Sequence, residues 1–340
     1  MIPAGQRLTR IGKVSILWRP RSVAVGLILL ALCLVVAMAL LATGTASLTP
    51  GQVLGGLTGQ GDDLTLTRVI RRIRLPRMLT AALVGAALGM SGAVFQSLSR
   101  NALGSPDVIG FTTGAATGAI VQIILFDAGA AGIAAAAVAA GLLTAVLVLM
   151  LARRGGGYRL ILVGIGTGAV LTAVNTLLMT MGDLERAMSA HIWLAGSLSA
   201  RNWTHVTLAA SGLLVFAPVI LAHARRLSLL EMGTDTAQQL GVASGRAQLM
   251  LVLAGVGLAS VATAATGPIA FVALAAPQLA RRLTRSPAVP VVTGAGMGAL
   301  LLMLADLVSQ RAPLGMSLPI GVMTALLGGA YLLLLLAGRR

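Results

Sequence analysis

Side chains capable of metal or acid–base chemistry are few and scattered in this 340-residue chain. Its three histidines, His191, His205 and His223, have no carboxylate or cysteine at the spacing of a metal site, and the pattern H-E-x-x-H does not occur. Eight of the nine acidic residues are predicted to lie in loops or at helix ends, so only Asp306 falls inside an apolar stretch. We therefore expect no catalytic residue, no metal site and no cofactor.

The sequence pattern for binding ATP is also missing. A phosphate-binding loop needs G-x-x-x-x-G-K-[ST], but the only lysine, Lys13, is followed by Val14. The chain is therefore not expected to hydrolyse ATP by itself. If it takes part in an energy-driven process, a second protein has to supply the energy.

The composition is typical of an all-α, polytopic membrane protein. Hydrophobic residues make up 57% and charged residues 10% of the chain, the mean hydropathy is +0.94, and 42 residues are glycine. At about 20 apolar residues per crossing, we predict ten transmembrane helices in a single domain over 23–337, after a cytoplasmic segment at 1–22. The apolar runs lie at 23–43, 78–98, 108–126, 129–152, 159–181, 204–224, 247–266, 269–281, 288–308 and 319–337.

The distribution of charge predicts an orientation with both termini in the cytoplasm. The net charge is +16, and in this orientation 17 of the 25 basic residues lie on the inner side and 8 on the outer side, as the positive-inside rule requires. We attribute the excess charge to inner loops and to anionic membrane lipid rather than to nucleic acid. A carrier driven by protons or sodium is disfavoured, because such carriers usually have ionisable residues deep in the membrane.

Five of the eight outer basic residues are clustered in the segment TRVIRRIRLPR: Arg68, Arg71, Arg72, Arg74 and Arg77. One interpretation is that a long first loop is exempt from the charge rule. The other is that the cluster binds an acidic partner, since complementary charge steers encounter and fixes the register of docking.

Two features of the later part of the chain have more structure than plain linkers. Gly267-Pro268 separates the seventh and eighth runs, which predicts a span, an irregular turn at membrane depth and a half-length helix. The segment 225–246 is predicted to contain a short helix that is capped by Thr234 and ended by Gly241. That helix could be an interfacial anchor or a docking element for a cytoplasmic motor protein.

Small residues recur at a spacing of four along three of the predicted helices: Gly85 and Gly89; Gly110, Gly114 and Gly118; Gly164 and Gly168. In lipid, this spacing lets helix backbones approach closely. It therefore predicts a tightly packed bundle.

Several stretches resemble one family of transport proteins. RLPR at 74–77, followed by GAALGMSGAVFQSLSRNALGSPDVIGFTTGAATGA, is similar to the permease subunits of iron-siderophore, haem and cobalamin ABC importers, the FecCD-type family. EMGTDTAQQLGV at 231–242 resembles the family's cytoplasmic coupling segment. GPIAFVALAAPQLAR at 267–281 and SLPIGVMTALLGGAYLLLLL at 317–336 resemble its two C-terminal signatures, and all the matches occur in the family's order.

The resemblance implies a type II importer in the cytoplasmic (inner) membrane. Such an importer has two permease chains of ten helices each, two cytoplasmic ATPase subunits and a periplasmic or lipid-anchored substrate-binding protein. FQSLSRNALGSPDVIGF and LLEMGTDTAQQLGV look most like the second permease of ferric-enterobactin importers, which implies a heterodimer and a ferric siderophore of the catecholate type. A homodimer, cobalamin or haem as substrate, and an ion-coupled secondary carrier are the alternatives.

The resemblance also assigns roles by position. Arg74 and Arg77 match outward arginines that pair with glutamates of the binding protein, and Asn101 and Leu103 match a loop of the cytoplasmic gate. A second gate segment falls at Gly157 and Tyr158. The ATPase-coupling segment, at about 227–243, contains the remaining assigned residues: Glu231, Met232, Gly233, Asp235, Ala237, Leu240 and Gly241.

Three positions depart from the family's pattern. Gln278 stands where P-H-I-A-R has its histidine, Ala102 stands where proline usually follows the asparagine of N-P-L, and Thr234 stands where an acidic residue is common. None of them removes a catalytic group. They bear on the stiffness of the gate and on contact with the ATPase.

Overall fold

The computed structural model describes residues 7–11, 14–44, 47–59, 63–152, 156–287, 289–311 and 319–337. Nearly all of these are helical. The exception is an antiparallel hairpin of β1 (Arg7–Ile11) and β2 (Val14–Trp18), in which Thr9 lies opposite Ile16. The all-α prediction omitted this hairpin, because two five-residue strands give only a short alternating pattern before the first long apolar run.

Fifteen helices are found among the described residues, and a π-helical turn, Ile70–Arg74, joins the third to the fourth. In chain order they are α1 (Pro20–Ala42), α2 (Pro50–Thr58), α3 (Leu64–Val69), α4 (Leu75–Ser99), α5 (Phe111–Leu125), α6 (Ala130–Ala152), α7 (Gly156–Met181), α8 (Leu184–Leu194), α9 (Trp203–Ala222), α10 (Ala224–Glu231), α11 (Thr234–Gln239), α12 (Ser244–Thr266), α13 (Val272–Thr284), α14 (Val291–Gln310) and α15 (Ile320–Ala337).

Each of the ten predicted apolar runs coincides with one of the longer helices. Within the described ranges, seven helices are long and apolar enough to cross a membrane: α1, α4 together with α3 and the π-helical turn, α6, α7, α9, α12 and α14. The other three, α5, α13 and α15, are a 15-residue, a 13-residue and an 18-residue helix.

The segment between α1 and α4, expected to be a loop, contains two short capped helices. Thr49 and Gln52 form a capping box at the start of α2, with Pro50 in the first turn. The Asp63 carboxylate accepts a hydrogen bond from the backbone N–H of Thr65 at 2.7 Å and so caps α3. These capping residues mark the starts of two helices that are too short to give a long apolar run.

The centre of the bundle is formed by α4 and α12, most of whose residues are buried, whereas only four of the 23 residues of α1 are buried. A Cβ added to Gly89 of α4 would collide with the carbonyl oxygen of Gly294 on α14, and one added to Gly298 would collide with that of Gly85. The predicted close packing of Gly85 and Gly89 is therefore confirmed, since α4 and α14 touch backbone to backbone.

The predicted break between the seventh and eighth runs is present, but it is longer than Gly267-Pro268. The helix α13 begins only at Val272, after Phe271 with a φ of 68°. Residues from other elements cover the break: the N–H of Ser197 donates to the carbonyl of Thr266 at 2.7 Å, and Gly267 packs against the carbonyl of Trp193. Irregular backbone inside a membrane protein requires such cover.

The helix α1 connects the two ends of the bundle. At its C-terminal end, Arg311 donates from Nη2 to Oγ1 of Thr43 at 3.2 Å. At its N-terminal end, Arg21 donates from Nε to the carbonyl of Leu283 at 2.8 Å. The contact of Arg311, predicted to lie outside, and that of Arg21, predicted to lie inside, are thus at opposite ends of α1.

Candidate functional site

Two of the clustered arginines are bound to the ends of neighbouring helices. Arg71 donates to the carbonyls of Gly56 and Leu57 in the last turn of α2, at 2.9 and 2.8 Å. Arg74 donates from Nη1 to the carbonyl of Leu41 in the last turn of α1, at 2.8 Å. The final carbonyls of a helix have no partner within it and carry its negative dipole end, so arginine stabilises both termini.

Arg77 forms a buried ion pair with the acidic residue that the sequence singled out. Its Nη2 lies 2.6 Å from Oδ1 of Asp306, and its Nε lies 3.1 Å from Oδ2. The Asp306 side chain is 1% exposed and that of Arg77 is 26% exposed. Gln310 donates a further hydrogen bond to Oδ2 of Asp306 at 2.9 Å. This pair joins α4 to α14 about two helical turns away from the contact between Gly85 and Gly298.

The exposed charge of the cluster lies on its other members. Arg68 and Arg72 are exposed and form no hydrogen bond or ion pair with any residue that the structure describes. Ile73, 59% exposed, and Trp203, 44% exposed, lie beside them on the same surface. We call these four residues the arginine surface.

The start of α9 borders the arginine surface and is itself held rigidly. The indole Nε1 of Trp203 donates to the carbonyl of Arg71 at 3.1 Å. Arg201 donates to the carbonyl of Ser197 at 2.9 Å and lies 2.9 Å from Nε2 of His205. Burial lowers the pKa of the Arg201 guanidinium, which nevertheless stays charged because arginine titrates far above neutral pH.

At the opposite end of the bundle, the predicted gate residues Asn101 and Leu103 lie in a tight turn after α4. The Asn101 side-chain oxygen accepts a hydrogen bond from the N–H of Leu103 at 2.9 Å, which is an Asx turn. Both residues are exposed, Leu103 by 54%. Gln278 of α13 donates from Nε2 to the carbonyl of Ala102 at 2.7 Å. Two positions that depart from the family's pattern therefore contact each other.

The second predicted gate segment lies at the start of α7. Gly157 and Tyr158 occupy the first turn of that helix, which begins at Gly156. Their side chains lie outside the part of the chain that the structure describes.

The predicted coupling segment consists of α10, a break at Met232 and Gly233, and α11. Ala237 is fully buried, whereas Met232 and Leu240 are 64% and 58% exposed. Gly241, with a φ of 82°, ends the helix, and the N–H of Val242 returns to the carbonyl of Ala237 at 2.9 Å. Met232 and Leu240 thus expose apolar side chains on either side of the buried Ala237, an arrangement that suits contact with a partner protein.

The cap predicted for this helix is wrong in one detail. Thr234 is the first residue of α11, but the capping position is Gly233 and no side chain caps the helix. Glu231 and Asp235 flank the break. Glu231 accepts a hydrogen bond from Nη2 of Arg281 on α13 at 2.6 Å, and Asp235 is exposed in the first turn of α11.

We call the turn at Asn101–Leu103 the gate turn, after its predicted role. The gate turn and the coupling segment lie at one end of the bundle, and α13 contacts both. Arg74 and Arg77 lie at the other end. Sequence reasoning missed Arg281 and the partner of Asp306. The lone acid in an apolar run was a signal that some basic residue must neutralise it. Among the described residues, no group of three or more His, Cys, Asp or Glu could hold a metal ion.

Comparison with known proteins places this geometry in one family. The model of the FecCD transport family matches residues 29–338. The chain is 44% identical over 312 residues to the ferric enterobactin transport system permease protein FepG of Escherichia coli K12, covering 91% of this chain and 94% of that protein. It is 35% identical to the Fe(3+)-citrate import system permease protein YfmE of Bacillus subtilis 168, covering 91% and 93%.

A solved structure has the same fold. It is an inward-facing conformation of a metal-chelate type ABC transporter, which superimposes with a TM-score of 0.84 at 29% identity and covers 92% of this chain and 99% of that one. The family match spans far more than half of the sequence and includes the gate turn, the coupling segment and Arg74 and Arg77. This chain belongs to the FecCD transport family.

Proposed function

We propose that this chain is one of two permease subunits of an ATP-driven importer that moves a ferric siderophore of the catecholate type across the inner membrane. The observation that carries the proposal is the 44% identity, over nearly the full length of both chains, to a permease for ferric enterobactin. Relatives at 33–35% identity are named for Fe(3+)-citrate, achromobactin and other siderophores, so iron chelate is the common substrate class. All of these relatives are named as permease proteins of transport or import systems.

The transmembrane arrangement in this proposal has ten crossings, with both termini in the cytoplasm. The ten helices that coincide with the apolar runs supply the crossings. The separation of the coupling segment and Arg281 from the Arg77 ion pair, at opposite ends of the bundle, supports the assignment of an inner and an outer side. Seven long apolar helices meet the requirement for spanning by themselves.

The binding protein docks, in this proposal, on the outer end around Arg74 and Arg77. Both arginines are held by internal partners, so they fix the shape of the surface, while the exposed Arg68 and Arg72 add charge that steers an acidic partner. Reversal of charge at Arg74 and Arg77 is expected to weaken docking without preventing membrane insertion. Reversal at Arg68 and Arg72 tests the steering contribution separately, since neither side chain has a partner to lose among the described residues.

Two ATPase subunits act, in this proposal, at the inner end through the coupling segment. Glu231 to Gly241 would occupy a groove of the ATPase, with Met232 and Leu240 as the apolar contacts and Ala237 as the buried anchor. ATP binding and hydrolysis then move this segment and open the gate at Asn101, Leu103, Gly157 and Tyr158. Substitution of Leu240 by Asp is expected to lower the amount of ATPase that co-purifies with the permease.

The deciding experiment is uptake of radiolabelled substrate by the reconstituted importer. The chain is co-expressed with its neighbouring permease, ATPase and binding-protein genes, and uptake of a ferric catecholate siderophore is compared with uptake of ferric citrate and cobalamin. We expect ATP-dependent uptake of the catecholate that is lost when the second permease is omitted. Uptake without the ATPase would refute the mechanism, while uptake of cobalamin alone would refute the substrate.

A further inference from the structure

We propose that α13 transmits movement of the coupling segment to the gate turn, through Arg281 at one contact and Gln278 at the other. The inference rests on the proposed function, since it concerns how an ATPase on the coupling segment reaches the gate. It makes Arg281 and Gln278 positioning residues, because neither is assigned a contact with substrate or with the ATPase.

The two contacts lie on one face of one helix. Gln278 and Arg281 are three residues apart on α13, and residues at this spacing are neighbours on a helix surface. Gln278 holds the carbonyl of Ala102, between the two predicted gate residues, at 2.7 Å. Arg281 holds the carboxylate of Glu231, the last residue of α10 before the break at Met232 and Gly233, at 2.6 Å.

Hydrogen bonds from α4 and α1 tie the rest of α13 to these two helices. Gln96 near the end of α4 donates from Nε2 to the carbonyl of Leu274 at 2.8 Å, and Arg21 donates to the carbonyl of Leu283 at 2.8 Å. The first six residues of the helix are buried. Gln278 and Arg281 both follow Pro277, the proline inside α13, so no proline separates the two contacts. A displacement of Arg281 is therefore passed to Gln278 within about one helical turn.

A direct route from the coupling segment to the gate is weaker. Arg100, at the end of α4, approaches Gly233, where a Cβ would lie 3.6 Å from its Nη1. The Arg100 side chain, however, forms no hydrogen bond or ion pair with any of the described residues. A charge-assisted hydrogen bond resists displacement more than a van der Waals contact does, so the route through Arg281 is the stronger one.

The test measures ATP hydrolysis and substrate uptake in the same proteoliposomes, with the complete importer. Arg281→Glu puts two carboxylates where the ion pair was, and we expect the substrate imported per ATP hydrolysed to fall about fivefold, as loss of a partly exposed ion pair allows. The ATPase should still co-purify. The matched control is Arg282→Glu, which makes the same charge change at an exposed neighbour that forms no ion pair with a described residue.

The charge swap distinguishes this role from a docking role of Glu231. The double variant Glu231→Arg with Arg281→Glu recreates the pair in reverse and should restore more than half of the lost coupling. If Glu231 acts only by touching the ATPase, the swap will restore nothing and the proposal is overturned. Normal coupling in Arg281→Glu alone would overturn it as well.

Movement of the gate turn supplies an independent readout. In a Cys33→Ser background, Leu103→Cys is labelled from the cytoplasmic side with a membrane-impermeant maleimide, with and without ATP. We expect ATP to change the labelling rate in this reference protein, and the change to be lost in Gln278→Leu and Arg281→Glu. If the variants respond like the reference, or if ATP does not change the labelling rate of the reference, the proposal is overturned. Uptake is measured separately in the Cys33→Ser parent, in which Leu103 is intact, and its absence there would refute the proposed function instead.

Discussion

The two residues of the Arg77–Asp306 ion pair are predicted to contribute unequally to the free energy of unfolding. Arg77→Ala removes the cation and leaves the Asp306 carboxylate, whose side chain is 1% exposed. Among the described residues, the amide of Gln310 is then its one remaining side-chain partner. Breaking a buried ion pair from one side costs about 3–5 kcal/mol, because a buried charge is left uncompensated. We therefore expect a loss of this size in the free energy of unfolding.

The opposite substitution should cost less. Asp306→Asn keeps the shape and two hydrogen-bonding atoms, and it leaves the charge on Arg77, whose side chain is already 26% exposed and can turn towards water. A lost hydrogen bond to a charged group costs about 1.5–3 kcal/mol, so the loss should fall below that of Arg77→Ala. The order of the two variants follows from the difference in burial between the partners.

The measurement is reversible unfolding of the purified permease in lipid nanodiscs or detergent, with Arg72→Ala as the control. Arg72 is exposed and has no partner among the described residues, so the control should stay within about 0.5 kcal/mol of the parent. Equal losses for Arg77→Ala and Asp306→Asn, or a loss below about 1 kcal/mol for Arg77→Ala, would refute the reasoning.

Three further predictions concern a helix contact, a helix cap and the contact with the ATPase. Gly89→Leu forces a side chain against the carbonyl of Gly294 and should cost about 3 kcal/mol or abolish folding; Gly26→Leu, with no atom within 4 Å of the Cβ position, should stay within about 0.5 kcal/mol. Asp183→Ala removes the cap of α8 and should cost about 1 kcal/mol, measured by the same unfolding assay. Leu240→Asp should leave stability unchanged but reduce ATPase co-purification, and equal co-purification would contradict the exposed-contact role.

The long helices could be predicted from the sequence because each satisfies one strong constraint. A stretch of about 20 apolar residues has few stable alternatives to a helix in lipid. The spacing of Gly85 and Gly89 likewise predicted a close helix contact, although the partner helix, α14, could not be named. Small residues tell where a backbone can approach but not which backbone does so.

The short elements could not be predicted because hydropathy does not determine them. The helix α3 has six residues, none of them buried, and begins where Asp63 caps two N–H groups. Such a helix is marginal by itself. A pattern search tuned to apolar runs passes over it, whereas a search for capping residues would have found it and the Thr49 capping box of α2.

The side-chain contacts between distant parts of the chain could not be predicted for a different reason. Arg77 and Asp306 are 229 residues apart in sequence, and Gln278 and Ala102 are 176 apart. Nothing in a single sequence pairs residues at such distances. Charge balance narrows the choice for Asp306 to a basic residue at the same end of the bundle, but only the packing of α4 against α14 selects Arg77 rather than Arg74.

The pairing of Arg77 with Asp306 changes how a docking experiment on Arg77 variants has to be interpreted. By resemblance, Arg77 binds a glutamate of the binding protein; in the structure, it neutralises Asp306. A loss of docking in a charge-reversed Arg77 variant would follow from either role, because the reversal also sets two carboxylates against each other in a buried site. Asp306→Asn separates the two roles, since it frees the Arg77 guanidinium without removing it. Unchanged docking with reduced stability would mean that Arg77 serves the fold. Tighter docking would mean that the binding protein competes with Asp306 for the same guanidinium.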